Sequence, residues 1–197
     1  LGFSQITPRW FVGDQGNNST SGSYFKLFQR AYSALGLVGF ILLQAAAGPL
    51  TTRWFNVPPA DQPVLEVAIR LAAFQFLFQF MNGLNNAVWS GQQRQRLMNL
   101  RTCAFTTLRH IMALLVLTFV VRDVRVYCGI FMVVTAIEWW TNHRRVRQSF
   151  ADSADEVSRA DALKAFREVA VLAVGVLVGT AVTQVDRVIL SRALPVQ

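Results

Sequence analysis

The sequence predicts an all-α fold: a polytopic transmembrane helix bundle with five full spans and an N-terminal partial span. Three observations lead there. Apolar runs such as Ala31 to Pro49 reach the roughly 20 residues a helix needs to cross a bilayer. Apolar residues make up 53% of the chain and charged residues 15%, against roughly 25% charged in an average soluble domain. Its 15 Phe and five Trp suit a lipid-facing surface and interfacial anchors better than a single soluble core. The Lys and Arg residues, finally, gather mainly at the ends of the apolar runs, as juxtamembrane charges do. Because the net charge of +8 forms no single basic stripe, no nucleic-acid partner is expected.

The chain opens on an apolar stub, the partial span, and turns polar over Gly13 to Gly22, a stretch of turn formers. Asn17 and Asn18 each open an N-x-S/T pattern, which has meaning only in a secretory lumen. The first full span covers about Phe28 to Leu50, and Pro58 to Pro63 marks a short extramembrane connection. The second covers about Leu65 to Trp89, followed by the basic turn Gln92-Gln93-Arg94-Gln95-Arg96. The third covers about Asn99 to Val121, and Arg122-Asp123-Val124-Arg125 makes a tight reversal. The fourth covers about Val126 to Trp140, closed by the aromatic pair Trp139-Trp140 and the cluster Arg144-Arg145-Val146-Arg147. A polar connector over residues 148–163 leads to the fifth, about Ala165 to Ala193. The connector thus separates residues 1–147 from residues 164–197. Starting at Leu1 and stopping at Gln197 shortly after a membrane segment, it reads as part of a longer protein.

Short connections force successive spans up and down, so alternate connectors share a side. Lys26, Arg30, Arg94, Arg96, Arg101, Arg144, Arg145, Arg147, Arg159, Lys164 and Arg167 fall on one side, Arg53, Arg70, Arg122 and Arg125 on the other. By the positive-inside bias the richer side is cytoplasmic.

Polar residues inside spans carry the functional signal. Gln75, Gln79, Asn82 and Asn86 follow i, i+4, i+7, i+11 spacing and share one helix face. Amides in lipid are costly unless paired or wetted, so this face lines a cavity or forms a ladder of interhelical hydrogen bonds. Thr102, Thr106 and Arg109 form a second stripe on the third span. Arg109 lies roughly 12 Å deeper than Arg101 along a helix rising 1.5 Å per residue. There its guanidinium either binds phosphate oxygens or pairs with Glu138 of the fourth span. His110 projects about 100° away from Arg109 and is a proton-relay candidate. Glu138, next to Trp139 and Trp140, is an interfacial carboxylate or an ion-coupling group. Asp186-Arg187 at the end of the fifth span is an interfacial anchor or a gating pair, and Gly175 and Gly179 form a G-x-x-x-G contact motif. Cys103 and Cys128 have neither metal-ligand nor disulfide-framework spacing. With no Ser-His-Asp set, Walker loop, C-x-x-C or H-E-x-x-H, neither an enzyme nor a metal or cofactor is expected.

Three stretches resemble the polysaccharide and O-antigen flippases of the multidrug/oligosaccharidyl-lipid/polysaccharide flippase superfamily. They are Leu1-Gly2-Phe3-Ser4-Gln5-Ile6-Thr7-Pro8-Arg9; Gly91-Gln92-Gln93-Arg94-Gln95-Arg96-Leu97-Met98-Asn99-Leu100 with the following Thr107-Leu108-Arg109; and Thr183-Gln184-Val185-Asp186-Arg187-Val188-Ile189-Leu190-Ser191. The resemblance implies two lobes of helices around a central cavity open alternately to either side. This chain would supply the end of the second helix through the seventh, with 1–147 a partial N-terminal lobe, 148–163 the cytoplasmic connector and 164–197 the first helix of the C-terminal lobe. It implies a multi-pass protein of the bacterial cytoplasmic membrane that moves polyprenyl-pyrophosphate-linked oligosaccharide to the outer leaflet for surface polysaccharide synthesis. Arg109 would then hold the pyrophosphate, Gln75, Gln79, Asn82 and Asn86 would offer hydrogen bonds to sugar hydroxyls, and Thr106 would belong to the same substrate-binding set. Two other readings stay open. One is a cation-coupled drug or small-solute antiporter of the same superfamily. The other is a non-transporting scaffold that recruits glycan-assembly proteins, with the polar stripes as helix glue.

Overall fold

Four of the expected spans form helices in the structure, a computed structural model that describes residues 18–55, 57–150 and Arg167. They are α1 (Asn18–Pro49), α2 (Gln62–Gly91), α3 (Gln95–Phe119) and α4 (Val124–Gln148). All four are long and apolar enough to cross a membrane. Residues 1–17, residues 151–163 of the connector and the fifth span apart from Arg167, with Gly175, Gly179, Asp186 and Arg187, lie outside the described residues, while Asn18 to Gly22, expected as part of a polar loop, is instead the start of α1.

Besides the earlier start of α1, the observed boundaries differ from the expected ones at two places, each for a local reason. Pro49 removes an N–H and crowds the preceding turn, yet the helix continues as a π-helical turn over Leu50–Trp54. Phe55 N–H donates to the Leu50 carbonyl at 2.9 Å, the wide spacing of a π turn. The Thr51 and Thr52 hydroxyls donate back to the Ala47 and Gly48 carbonyls at 2.8–3.2 Å and satisfy backbone around the irregularity. At the other place, α4 runs past Trp140 to Gln148 because Asn142 and Val146 turn inward, 1% and 0% exposed.

Tight turns set the antiparallel order. After α2, Gln93 takes a left-handed φ of 57°. Arg94 N–H reaches the Trp89 carbonyl at 2.8 Å and Gln93 N–H the Ser90 carbonyl at 3.1 Å, the paired bonds of a Schellman cap. Between α3 and α4, Asp123 caps α4 by accepting from Arg125 N–H at 2.8 Å. The Arg125 guanidinium, hydrogen-bonded to the same side chain, holds the Asp123 carboxyl below the usual carboxylate range. A depressed pKa keeps the cap ionised at ordinary pH; it is lost only as pH falls through that lowered value.

α2 is the central helix, packed against α4 on one side and α1 on the other, while α3 leans on α4. The tightest core lies toward the basic ends of the helices. Phe25, Phe28 and Tyr32 of α1 meet Leu84, Val88 and Trp89 of α2, with Val146 and Phe150 at the end of α4. Phe25 and Phe150 stack at 5.3 Å between ring centroids. In lipid, helices associate through close packing rather than hydrophobic exclusion, and small residues make that packing possible. A Cβ added at Gly36 would stand 3.2 Å from both Leu77 Cδ1 and Phe80 Cδ1, whereas nothing lies within 4 Å of one at Gly48. Gly36→Leu is therefore expected to wedge α1 from α2 and destabilise the bundle by about 1–3 kcal/mol. Thermal unfolding in detergent checks this, with Gly48→Leu as the variant that leaves the midpoint unchanged.

The outer surface is apolar, as lipid requires: Leu37, Val38, Ile41 and Leu42 on α1 and Leu114, Phe119 and Val120 at the far end of α3 are all exposed. Ala113 is the one fully buried residue of α3. That helix is held to the bundle by its polar side chains as well as by apolar contact.

Candidate functional site: a buried ionic network across three helices

Asn82 sits on the buried face of α2, 4% exposed, and faces α4. Its Nδ2 donates to Glu138 Oε1 at 3.1 Å, and its Oδ1 accepts from Asn142 Nδ2 at 2.9 Å and from Asn85 Nδ2 at 3.2 Å. Glu138 and Asn142 stand one turn apart on α4, so one amide on α2 bridges both. From α3, Arg109 Nη2 donates to Glu138 Oε2 at 3.0 Å, an ion pair whose two side chains are 11% and 10% exposed. Eight residues back along α3, Arg101 donates from Nε to Asn142 Oδ1 at 2.6 Å and from Nη2 to Thr141 Oγ1 at 2.7 Å. The Thr141 hydroxyl in turn donates to the Glu138 carbonyl at 3.0 Å. Every link crosses a helix interface or supports a residue that does.

Aromatic faces shape this network. The Arg109 guanidinium lies 5.4 Å from the Phe131 ring centroid, and Arg101 lies 5.8 Å from Trp89 and 5.5 Å from Phe105. Such contacts favour a desolvated cation. Not every polar atom is satisfied. Arg109 Nε, Asn86 Oδ1 and Gln92 Oε1 are buried with no partner among the described residues. Arg109 therefore meets Glu138 through one arm, and its Nε–H remains a buried unused donor.

Of the residues expected to bind substrate, the structure joins Arg109 and Asn82 through Glu138. Of the alternatives open for Arg109, the ion pair with Glu138 is the arrangement observed. Glu138 is correspondingly a buried interhelical carboxylate, 7% exposed. Asn86 stays on the buried side with its unpaired oxygen. Gln75 is half-buried and Gln79 exposed, and neither is hydrogen-bonded among the described residues. All four amides share an angular stripe, but α4 offers polar partners only at the level of Glu138 and Asn142. Thr106 is exposed on α3 and outside the network. His110 is exposed as well, its ring set edge-on to Phe131 at 5.3 Å. Asp186 and Arg187 lie outside the described residues.

Sequence reasoning missed Asn85, Arg101, Thr141 and Asn142. The signal for Asn142 was present: Thr135, Glu138 and Asn142 follow i, i+3, i+7 spacing on α4, and all three are buried. Ending that span at Trp140 cut the stripe short. Arg101 was counted among the cytoplasmic charges, whereas its side chain turns inward to α4.

Chemically, the network holds a charged pair out of water with polar partners on three helices. The desolvation cost of such a pair is recovered only while geometry and hydrogen bonds are good. An incoming anion that reached Arg109 would compete directly with the Glu138 carboxylate. Among the described residues no group of His, Cys, Asp and Glu is placed to hold a metal ion. No family model, curated protein or solved structure matches the chain.

Proposed function

We propose that this chain is part of a multi-pass transporter of the bacterial cytoplasmic membrane that moves a polyprenyl-pyrophosphate-linked oligosaccharide between leaflets. The observation that carries the reading is the Arg109–Glu138 pair, a charge pair at 3.0 Å inside a membrane-spanning bundle. Ionisable groups in that position are expensive and mark pathways for polar or charged cargo. Support for the cargo comes from the three stretches that resemble oligosaccharide flippases. In this reading Glu138 neutralises Arg109 while no cargo is bound. A pyrophosphate, with more acceptor oxygens than a carboxylate, takes its place and uses the spare Nε–H. Gln79, exposed and unpaired, then meets sugar hydroxyls together with the half-buried Gln75.

A second reading has its own observation. The unbroken chain of bonds through Asn82, Asn142, Arg101 and Thr141 is what interhelical glue requires. On that basis the protein would be a scaffold for glycan-assembly proteins. Surface glycan, measured against lipid-linked glycan held on the cytoplasmic face in cells carrying Arg109→Gln in the intact protein, separates the two readings. Cytoplasmic accumulation at normal protein level is expected for the transporter. Unchanged export would remove Arg109 from the path.

A further inference from the structure

At about 100° per residue, Arg145 projects between Thr141 and Asn142 on the same side of α4, one turn nearer the helix's basic end. Those two residues hold Arg101 in place, and the ring faces of Trp89 and Phe105 confine its guanidinium. Arg101 and Arg145 are close enough for their charges to act on each other. Arg101 Nη1 has no partner among the described residues and is not buried, and Arg145 is exposed without an ion pair there. Two guanidiniums whose charges act on each other repel unless an anion lies against them. Among the described residues, Glu138 is the carboxylate whose charge reaches Arg101, and it is already engaged by Arg109 and Asn82. Arg101 and Arg145 thus have no carboxylate hydrogen-bonded to them among the described residues.

The surroundings select the kind of anion. Arg101 is six residues into α3, hence roughly 9 Å from its basic end, a depth that suits a lipid headgroup boundary. Beside Arg101 and Thr141 in sequence, Leu100 is 67% and Trp140 60% exposed. Apolar surface next to paired cations matches a ligand with a phosphate at one end and a hydrocarbon chain at the other. We infer that Arg101 and Arg145 form a binding site for the phosphate group of a membrane lipid at the basic edge of the α3–α4 face. The site precedes Arg109 along α3 and stands whether or not the transported cargo is a lipid-linked glycan.

The test is a native mass-spectrometric titration of the intact protein in detergent with phosphatidylglycerol, and separately with inorganic pyrophosphate. Arg101→Gln and Arg145→Gln are each expected to weaken phosphatidylglycerol binding by about fivefold, the effect of one basic residue at a charged lipid surface. Arg53→Gln and Arg122→Gln, at the opposite ends of the helices, should leave it unchanged. Arg145 is exposed and its variant keeps the fold, so it decides the matter if Arg101→Gln is unstable. Unchanged binding in Arg145→Gln, or an equal loss in Arg122→Gln, overturns the inference. So does pyrophosphate binding where phosphatidylglycerol does not, which would assign the site to a soluble anion.

Discussion

Glu138→Ala is expected to destabilise the bundle by about 3–5 kcal/mol, the cost of breaking a buried ion pair from one side. The substitution leaves the Arg109 guanidinium, 11% exposed, without its carboxylate, and Asn82 Nδ2 without its acceptor. It also unties α3 from α4 at the Arg109 end, where Ala113 is the buried residue α3 contributes. The comparison with Asn142→Ala shows which force dominates. Interhelical hydrogen bonds in bilayers average only about 0.6 kcal/mol, and Asn142→Ala strands no buried carboxylate or ion-paired guanidinium, so it should move the thermal midpoint less, although it loses a neutral bond to Asn82 and a charged one from Arg101. Thermal unfolding in detergent, followed by tryptophan fluorescence, reads both. Equal shifts would mean that the network acts as neutral glue and that its charges contribute little.

The four described spans were legible because hydropathy and turn chemistry agree. Arg122-Asp123-Val124-Arg125 reads as a reversal, and Asp123 does cap α4 there. The continuation past Pro49 was not legible, since proline normally ends a helix and only the Thr51 and Thr52 hydroxyls show how the backbone was satisfied. Periodicity placed Gln75, Gln79, Asn82 and Asn86 on one stripe. It could not say that α4 covers Asn82 and leaves Gln79 exposed, because angle around a helix carries no information about the neighbour. Arg101 shows the same limit. A basic residue near the end of a span can reach outward to the headgroups or inward to a partner. The choice was settled by Thr141 and Asn142, about 40 residues away in sequence. Glu138 was visible as a partner for Arg109 from sequence alone, because the short α3–α4 turn brings the two helices together.

Arg109→Gln alone is expected to abolish export in the intact protein, but on its own that loss has two sources. It removes the cation proposed to hold the pyrophosphate, and it strands Glu138 in a buried site. Neutralising both partners separates these effects. In Arg109→Gln/Glu138→Gln no charge is stranded, the amides can hydrogen-bond to each other and to Asn82, and the uncompensated buried ion that makes breaking such a pair from one side costly is avoided. The measurement that tests the central claim most directly is therefore export of surface glycan by this double variant, alongside its protein level and thermal midpoint. The transporter reading predicts a midpoint near that of the unaltered protein, with export still lost and lipid-linked glycan held on the cytoplasmic face. Export restored together with stability would contradict it and leave the pair as a structural link between α3 and α4.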